Sequence, residues 1–509
     1  MTNSGLNSVR ETQALCPICK SRFPASYIER DDGIYLYRHC PEHGEFAIPV
    51  WRNHFDFKCW TENAPPLLIG ENPDCPCGCG LCNDHKQSTC CVLLPITTRC
   101  NLACSYCFAD PISDDGYNGA TSANSAADPS FEQVEAWLKD LTVPGQTLVQ
   151  LSGGEPTLRG DLPKIVAAAR SVGCRYTQLN SNGIRLAEDE MLVKSLAEAG
   201  LSFVFLQFDG LDDKIYETLR GRSLLKLKQR AIENCARYNI GVALVPTLTP
   251  GVNTDQVGDI IRFAAAHSPA VRGVHFQPVS YFGRSPVTPV EAPRYTLDTL
   301  LYDIITQSKG LLKEEDFAPS RCDHPLCGLH GDFIVMPGGK LLPLHQRNRR
   351  PEPERTGCCC GPKTATKAVI VANMGAAITT DMGVYTVAAT AADVGADTVK
   401  VTTADIKADT VAVTGTATVT SIAAAKNRDF VGRRWKRPAN GGNCCGGTHN
   451  ENPDLTNMEQ FELRAKSHGF TITAMAFQDV ATLDIDRLRQ CSLHVYDKGK
   501  HIPFCSFYM

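Results

Sequence analysis

A chain of 509 residues exceeds what one hydrophobic core can organise, so division into about two to four domains is expected. A formal net charge of −4, from 51 basic and 55 acidic residues, argues against a general nucleic-acid or anionic-membrane binder. No window of about 18 uninterrupted apolar residues could span a bilayer, and residues 1–14 lack a signal-peptide core, so the reading is a cytoplasmic protein whose 24 cysteines serve metals rather than disulfides.

Residues 1–60 read as a zinc-ribbon or rubredoxin-like domain. Cys16-Pro-Ile-Cys19 and Cys40-Pro-Glu-His43 form two knuckles around an alternating stretch that includes Gly33-Ile-Tyr-Leu-Tyr. One imidazole among three thiolates suits a closed structural zinc site, with iron as the alternative. A ribbon can bind nucleic acid, but this one offers little basic surface beyond Lys20, Arg22, Arg30 and Arg38. Residues 61–91 form a cysteine-rich linker with Cys75, Cys77, Cys79, Cys82, His85, Cys90 and Cys91. Cys90 and Cys91 start a strand that advances about 3.3 Å per residue, which puts them far from Cys100 at its other end.

Residues 92–310 alternate strand and helix patterns. Strands are expected at 92–97, 148–152, 176–180, 203–208, 242–248 and 274–279, and helices at 131–141, 162–172, 191–199, 224–238, 257–266 and 297–307. Six successive units predict an α/β fold, a partial (βα)6 TIM-like barrel whose ligands gather at the C-terminal strand ends. Four polar sets fall there. Cys100-Asn-Leu-Ala-Cys104-Ser-Tyr106-Cys107 follows the first strand, Gly153-Gly154-Glu155-Pro156 the second, Asn180-Ser181-Asn182-Gly183 the third and Gln207-Phe208-Asp209-Gly210 the fourth.

Three thiolates on a cubane leave one iron open to a small ligand, whereas electron-carrying ferredoxins fill every position with cysteine. The paired glycines allow backbone to approach a ligand closely and leave Glu155 to accept a hydrogen bond from a ligand ammonium. Ser181 and Asn182 suit ligand hydroxyls or a carboxylate, although Ser-Asn-Gly is equally good turn chemistry. Asp209, Gln207, Gln277 and Arg284 face cofactor or substrate, or else serve the adjoining helices. Cys174 and Cys235 read as small core residues.

Beyond the barrel, residues 311–361 carry Cys322, Cys327 and Cys358 to Cys360. Residues 362–426 turn to Ala, Thr and Val, with Ala396-Asp-Thr-Val399 recurring as Ala408-Asp-Thr-Val411, which suggests a β-repeat insertion or a low-complexity linker. Residues 427–509 are expected to form a C-terminal α+β covering domain containing Cys491 and Cys505. The basic run Arg433-Arg434-Trp435-Lys436-Arg437 reads as a solvated face or a phosphate-headgroup contact. Cys444 and Cys445 read as lone thiols, and His494 and His501 as structural.

The triplet with its Gly-Gly-Glu-Pro strand end resembles the radical S-adenosylmethionine (radical SAM) superfamily. The resemblance implies that Cys100, Cys104 and Cys107 hold a [4Fe-4S] cluster whose open iron chelates S-adenosylmethionine, for reductive cleavage to a 5'-deoxyadenosyl radical. The candidate cofactor contacts are Tyr106, Gly153, Gly154, Glu155, Pro156, Ser181, Asn182 and Asp209. The Cys-Pro-Glu-His-Gly ribbon ending, Cys79-Gly-Leu-Cys82 through Thr89-Cys90-Cys91, Cys322-Asp-His-Pro-Leu-Cys327 and Ile502-Pro-Phe-Cys505 resemble more narrowly the archaeal tetraether lipid synthase and dihydropterin methyltransferase-like family.

That narrower resemblance implies auxiliary [4Fe-4S] clusters drawing on Cys75, Cys79, Cys82, Cys90, Cys322, Cys327, Cys491 and Cys505, and carbon–carbon coupling of lipid alkyl chains. The alternative is methyl transfer to a dihydropterin, and the non-enzyme alternative a multi-cluster electron carrier. Joining saturated carbons offers general acid–base catalysis nothing to act on, so a radical initiator suits it. The expected partners are a small-molecule or lipid substrate, a reductase or ferredoxin electron donor and transient membrane-surface contact, with no nucleic acid.

Overall fold

Apolar–polar alternation in the first sixty residues folds into an antiparallel meander of β1 (Ser8–Leu15), β2 (Arg22–Arg30), β3 (Gly33–Cys40) and β4 (Gly44–Trp51). Gly33 permits the β2–β3 turn, because a Cβ there would lie 2.1 Å from the Trp51 carbonyl oxygen. Helix α1 (Phe57–Thr61) follows, capped by Asp56. The computed structural model describes residues 7–62, 81–82, 85–110, 112–113, 128–320, 322–344, 432–438 and 458–509. Cys75, Cys77, Cys79, Cys358 to Cys360, Cys444, Cys445 and the insertion at 362–426 lie outside them.

All six expected barrel strands form. They are β5 (Cys91–Thr97), β8 (Leu148–Gly153), β9 (Tyr176–Ser181), β10 (Phe203–Gln207), β11 (Gly241–Val245) and β13 (Val271–Pro278). Two short strands, β6 (Arg99–Cys100) and β7 (Ile112–Ser113), pair beside the cysteine loop, and β12 (Thr247–Leu248) pairs with β13. The outer helices are α2 (Phe131–Leu141), α3 (Leu162–Ser171), α4 (Ile184–Glu188), α5 (Glu190–Ala199), α6 (Asp213–Arg220), α7 (Leu225–Arg237), α8 (Val257–Ala266) and α9 (Leu297–Gln307). Their spacing explains them. Val134, Leu138 and Leu141 put one buried stripe on α2, and the Ser130 hydroxyl caps it by accepting from the Gln133 amide. Each fully buried aliphatic side chain of this kind contributes about 1.5–3 kcal/mol.

The strands 318–343 and the C-terminal region enlarge the expected sheet. β14 (Ala318–Pro319), β15 (Gly328–Val335) and β16 (Leu341–Pro343) precede β17 (Gly469–Met475), β18 (Leu493–Asp497) and β19 (Lys500–Pro503). β17 adds in parallel to β13 and β18 in parallel to β5, so the parallel order runs β17-β13-β11-β10-β9-β8-β5-β18. Antiparallel β15 and β19 cover the two outer edges. Residues 469–497 therefore complete the barrel sheet rather than merely covering it.

The basic run is divided: Arg433 and Lys436 lie on the expected solvated face, whereas Trp435 and Arg437 are buried. Trp435 is buried at the N-terminal mouth of the barrel, against Tyr176 and Phe203, the first residues of β9 and β10. Its indole donates to Thr471 Oγ1 at 2.8 Å, and its carbonyl lies where a Cβ on Gly241 would be, 2.0 Å away. Arg272 Nε donates to Arg434 O at 2.6 Å and Arg437 to Ala236 O at 2.9 Å, so the run plugs the barrel. No helix among the described residues is long and apolar enough to cross a membrane.

Candidate functional site

The end of β8 approaches the cysteine loop backbone to backbone. Gly154 N–H donates to Thr97 O at 2.9 Å and Glu155 N–H to Arg99 O at 2.7 Å. A side chain at Gly153 (φ +125°) would put its Cβ 2.2 Å from Thr97 O, so glycine is required there. The loop is held from two further sides. Ser105 donates through its amide to Leu219 O (3.0 Å) and through its hydroxyl to Thr218 O (3.1 Å), both near the end of α6. Cys107 and Arg284 exchange backbone hydrogen bonds of 3.0 and 2.9 Å, while the Arg284 guanidinium pairs with Asp110 at 2.8 Å and donates to Cys104 O at 3.3 Å. The Tyr106 ring stands edge-on to Tyr281, 6.1 Å between centroids.

Cys100 and Cys104 are buried and Cys107 is partly so. Burial, with Glu155 nearby, pushes the Cys100 thiol up to about 12, and burial with Cys104 nearby pushes Cys107 up to about 11. Thiols that resist ionisation and disfavour one another's charge fit a cationic iron–sulfur core, which deprotonates coordinating thiols outright.

The other strand-end residues are more committed to each other than their sequence suggests. Glu155 is not left free. Its Oε1 accepts from Thr157 N (3.1 Å), Thr157 Oγ1 (2.6 Å) and Ser181 Oγ (2.9 Å), and its Oε2 accepts from Asn182 N (2.7 Å), which leaves acceptor capacity at Oε2. Pro156 opens the short 3-10 turn that follows. Ser181 and Asn182 form the turn that their sequence allows. Ser181 Oγ accepts from Gly183 N at 3.0 Å, Asn182 Oδ1 accepts from Ile184 N at 3.1 Å, and Gly183 has φ +81°. The Asn182 amide also donates to Asn101 Oδ1 at 2.7 Å, which ties the turn to the cysteine loop.

Asp209 is fully buried in a two-pronged ion pair with Arg220, at 2.7 and 2.6 Å, and it accepts from Thr247 N at 3.1 Å. Arg220, unnoticed in the sequence, also reaches the Cys104 thiol and the Tyr106 carbonyl, the latter at 3.4 Å. A second unnoticed cation, Lys228, is buried and donates to Asn182 O and, at 3.2 Å, to Gln207 Oε1. Burial lowers its ammonium to about 8, with Asp209 resisting the fall. On α6 and α7 both cations sit at helical spacing with apolar neighbours, the one signal that could have found them. Gln277 lies on β13, where its backbone N–H donates to Pro246 O at 2.9 Å.

The ribbon ligands converge as expected. Ligand atoms of Cys16, Cys19, Cys40 and His43 all lie within 4.8 Å of one another, and His43 Nδ1 is 3.4 Å from Cys40 Sγ and 3.7 Å from Cys16 Sγ. Hydrogen bonds from Ser21 hold Cys19 down at about 6, so the set supplies an anionic ligand readily and fits a closed tetrahedral ion.

Cys327, Cys491 and Cys505, scattered in sequence, line one cavity with Asp323 and Arg487. Its wall comes from both edges of the parallel sheet, the residues after β17 and those at the start of β18. Burial pushes Cys505 up to about 12 and Cys491 well above the usual thiol range. Cys90 and Cys322 meet beside it, hydrogen-bonded to each other. Cys82 lies close by in sequence, its carbonyl accepting from His85 N at 2.9 Å. His494 is buried with Nε2 3.2 Å from His85 Nε2, and His501 approaches Thr89. Phe108, next to Cys107, packs on Phe504 and Tyr508, so an aromatic layer lies between the triplet and the cavity.

A three-thiol site on the C-terminal strand ends of a parallel α/β barrel, beside a zinc ribbon, defines an iron–sulfur barrel protein. A family model described as the radical SAM superfamily matches residues 94–264, and one described as the HMPTM N-terminal zinc ribbon domain matches residues 8–52. The chain is 37% identical over 366 residues to 7,8-dihydro-6-hydroxymethylpterin dimethyltransferase of Methanocaldococcus jannaschii, covering 66% of this chain and 70% of that one. It is 29% identical over 242 residues to Fe-coproporphyrin III synthase of Methanosarcina barkeri, covering 46% of this chain and 56% of that one. Among solved structures, Streptococcus suis SuiB bound to S-adenosylmethionine aligns at a TM-score of 0.33 and 18% identity, over 44% of this chain and 49% of that one. The chain belongs to the radical SAM superfamily. Membership brings with it a [4Fe-4S] cluster and S-adenosylmethionine.

Proposed function

We propose that this protein is a radical SAM C-methyltransferase acting on a dihydropterin. The observation that carries the reading is the 37% identity to a dihydropterin dimethyltransferase over 70% of that protein's length, beside the match of residues 8–52 to the HMPTM N-terminal zinc ribbon model. Of the two readings drawn from the sequence, the dimethyltransferase relative favours methyl transfer, and lipid alkyl-chain coupling gains no support from either relative.

Cys100, Cys104 and Cys107 would hold the catalytic cluster. When bound and reduced with S-adenosylmethionine, that group supplies a 5'-deoxyadenosyl radical able to take hydrogen from an unactivated carbon. The chain's own task is to orient and to exclude water. The Glu155 network fixes the ends of β8 and β9 against the cysteine loop, with remaining acceptor capacity at Oε2 for a ligand ammonium. Arg220, locked by Asp209, places a permanent cation beside the Cys104 thiol. The rings of Phe108, Phe282, Phe504 and Tyr508 keep one side of the loop dry. Cys327, Cys491 and Cys505 support an auxiliary cluster in their cavity, and Cys90 with Cys322 support a second group. A reductase or ferredoxin is the expected electron donor.

The test is anaerobic incubation of reconstituted, dithionite-reduced protein with S-adenosylmethionine and 7,8-dihydro-6-hydroxymethylpterin, followed by mass spectrometry. The expected result is a pterin heavier by methyl groups, accompanied by 5'-deoxyadenosine and methionine from the S-adenosylmethionine spent as radical source, by S-adenosylhomocysteine from a second molecule spent as methyl donor, and by oxidation of the dithionite that supplies the electrons. Cys104→Ala should abolish the methylated pterin and the 5'-deoxyadenosine and leave the ribbon metal in place. Cofactor cleavage that leaves the pterin unmodified would overturn methyl transfer to a dihydropterin.

A further inference from the structure

The ribbon's polar groups are turned inward, onto the two segments that carry the cavity cysteines. Asp484, fully buried, accepts hydrogen bonds from Thr12 Oγ1 of β1 (2.6 Å) and from Tyr27 OH of β2, and its backbone bridges to Ala14. Buried Arg38 of β3 donates to Ala481 O at 2.8 Å. Residues 481–484 lead directly into the helix Ile485–Arg489, which Asp484 caps by accepting from Asp486 N at 2.8 Å. From that helix the buried Arg487 donates to Leu326 O (3.0 Å) and Ala476 O (3.1 Å) and reaches Cys327 Sγ at 3.7 Å. Cys491 lies two residues past the end of the helix, just after its C-cap Gln490.

The second segment is fastened independently. Trp60, which follows the ribbon in α1, donates its indole N–H to Pro325 O at 3.1 Å, two residues before Cys327. Arg10 of β1 spans both segments, with Nη1 3.3 Å from His324 Nε2 and Nη2 3.4 Å from Asp486 Oδ2. Leu15 packs in one apolar cluster with Leu483, Ile485, Leu488, Leu493 and Cys505. Buried hydrogen bonds of this kind fix register as well as proximity, because any other register leaves a carboxylate or guanidinium unpaired in the interior. A ribbon used to grip an external partner would keep these side chains on its outer face.

We propose that the ribbon is the positioning platform of the cysteine cavity, setting Cys327 and Cys491 at the spacing that lets the cavity load iron. The inference rests on reading that cavity as an auxiliary cluster site. The test compares full-length wild type, Thr12→Val/Tyr27→Phe, Arg10→Met and, as a reference, Cys505→Ser, each reconstituted anaerobically. Iron, sulfide and ribbon metal are counted per chain, and the reduced proteins are examined by electron paramagnetic resonance. The double variant and Arg10→Met should both keep the ribbon metal and the signal of the triplet cluster. They should lose about four irons per chain, the content of one cubane, matching Cys505→Ser. If Cys505→Ser loses that iron while the other two variants keep it, the platform is overturned and the cavity reading stands. If Cys505→Ser loses none, the cavity reading fails and the platform with it. Should the double variant also shed its ribbon metal, Arg10→Met decides alone, since its partly exposed side chain can be replaced without emptying a core position.

Discussion

Removing Arg220 would leave the Asp209 carboxylate at 0% exposure with only the Thr247 N–H donating to it among the described residues, since both 2.6–2.7 Å contacts come from the lost guanidinium. Breaking one side of such a buried pair costs about 3–5 kcal/mol, because the surviving charge is stranded without water. At about 1.4 kcal/mol per tenfold, this should raise the local opening constant by roughly two to three and a half powers of ten. The assay is hydrogen exchange on peptides containing Ser105, whose amide is tied to Leu219 O at the end of α6, and Thr247, whose amide is tied to Asp209. Arg220→Met and Asp209→Asn should each accelerate exchange at both. The double variant strands no charge and should return to within about tenfold of wild type. Single variants that change exchange by less than tenfold, or a double variant whose loss equals the sum of the two, would refute the claim that this pair holds the cysteine loop.

Three further outcomes follow from the same reasoning. Glu155→Gln keeps one oxygen but turns an amide N–H₂ toward the donor of Asn182 or those of Thr157 and Ser181, so it should cost about 1–3 kcal/mol, measurable as a lower thermal midpoint; an unchanged midpoint would mean the carboxylate is not the hub described. Burial holds His275 down at about 4 against an ordinary 6.5, so the folded state binds fewer protons than the unfolded state in that window. Its contribution is whole above pH 6.5 and falls away by about 3 kcal/mol as pH drops to 4, and His275→Gln should remove that slope from denaturation curves taken across the range. Trp435→Ala should cost about 3–5 kcal/mol from lost packing and a Thr471 hydroxyl without its donor, with the Cys100 to Cys107 loop still able to load its cluster; loss of both together would show that the plug and the site are one unit.

What could be read from the sequence was what is local. Ribbon ligands three residues apart, a triplet within eight positions and strand–helix periodicities declare themselves without knowledge of the fold. The strands β17 and β18, which flank the expected six, did not, although Gly469–Met475 alternates plainly, because their parallel partners β13 and β5 lie far away in the chain. Buried charges are hidden for a related reason. Arg220 and Lys228 sit on polar-looking helices and become interior only because Asp209, Asn182 and Gln207 arrive from other elements. Glu155 shows the converse. The sequence leaves it free to accept from a ligand, and the fold narrows that freedom to the remaining capacity of Oε2 once Ser181 and Asn182, 26 and 27 residues on, bring their donors to it. The convergence of Cys327, Cys491 and Cys505 needed both sheet edges in place, and no spacing rule could supply that.

The two ends of the barrel solve different problems with the same strands. At the N-terminal mouth Tyr176 and Phe203 meet an aromatic plug, and what matters there is filled volume. At the C-terminal ends the same strands lead to Ser181, the last residue of β9, and Asp209, two residues past β10, whose polar atoms are already paired inside the protein before any ligand arrives. A network satisfied in advance does not reorganise when charge appears at the site, and it keeps the cysteine loop from relaxing around an incomplete cluster. Changes at the mouth should therefore cost stability first, whereas changes at the strand ends should cost stability and cluster geometry together, because Arg220 and Glu155 brace the loop through the same hydrogen bonds that hold β8, β9 and β10 in place.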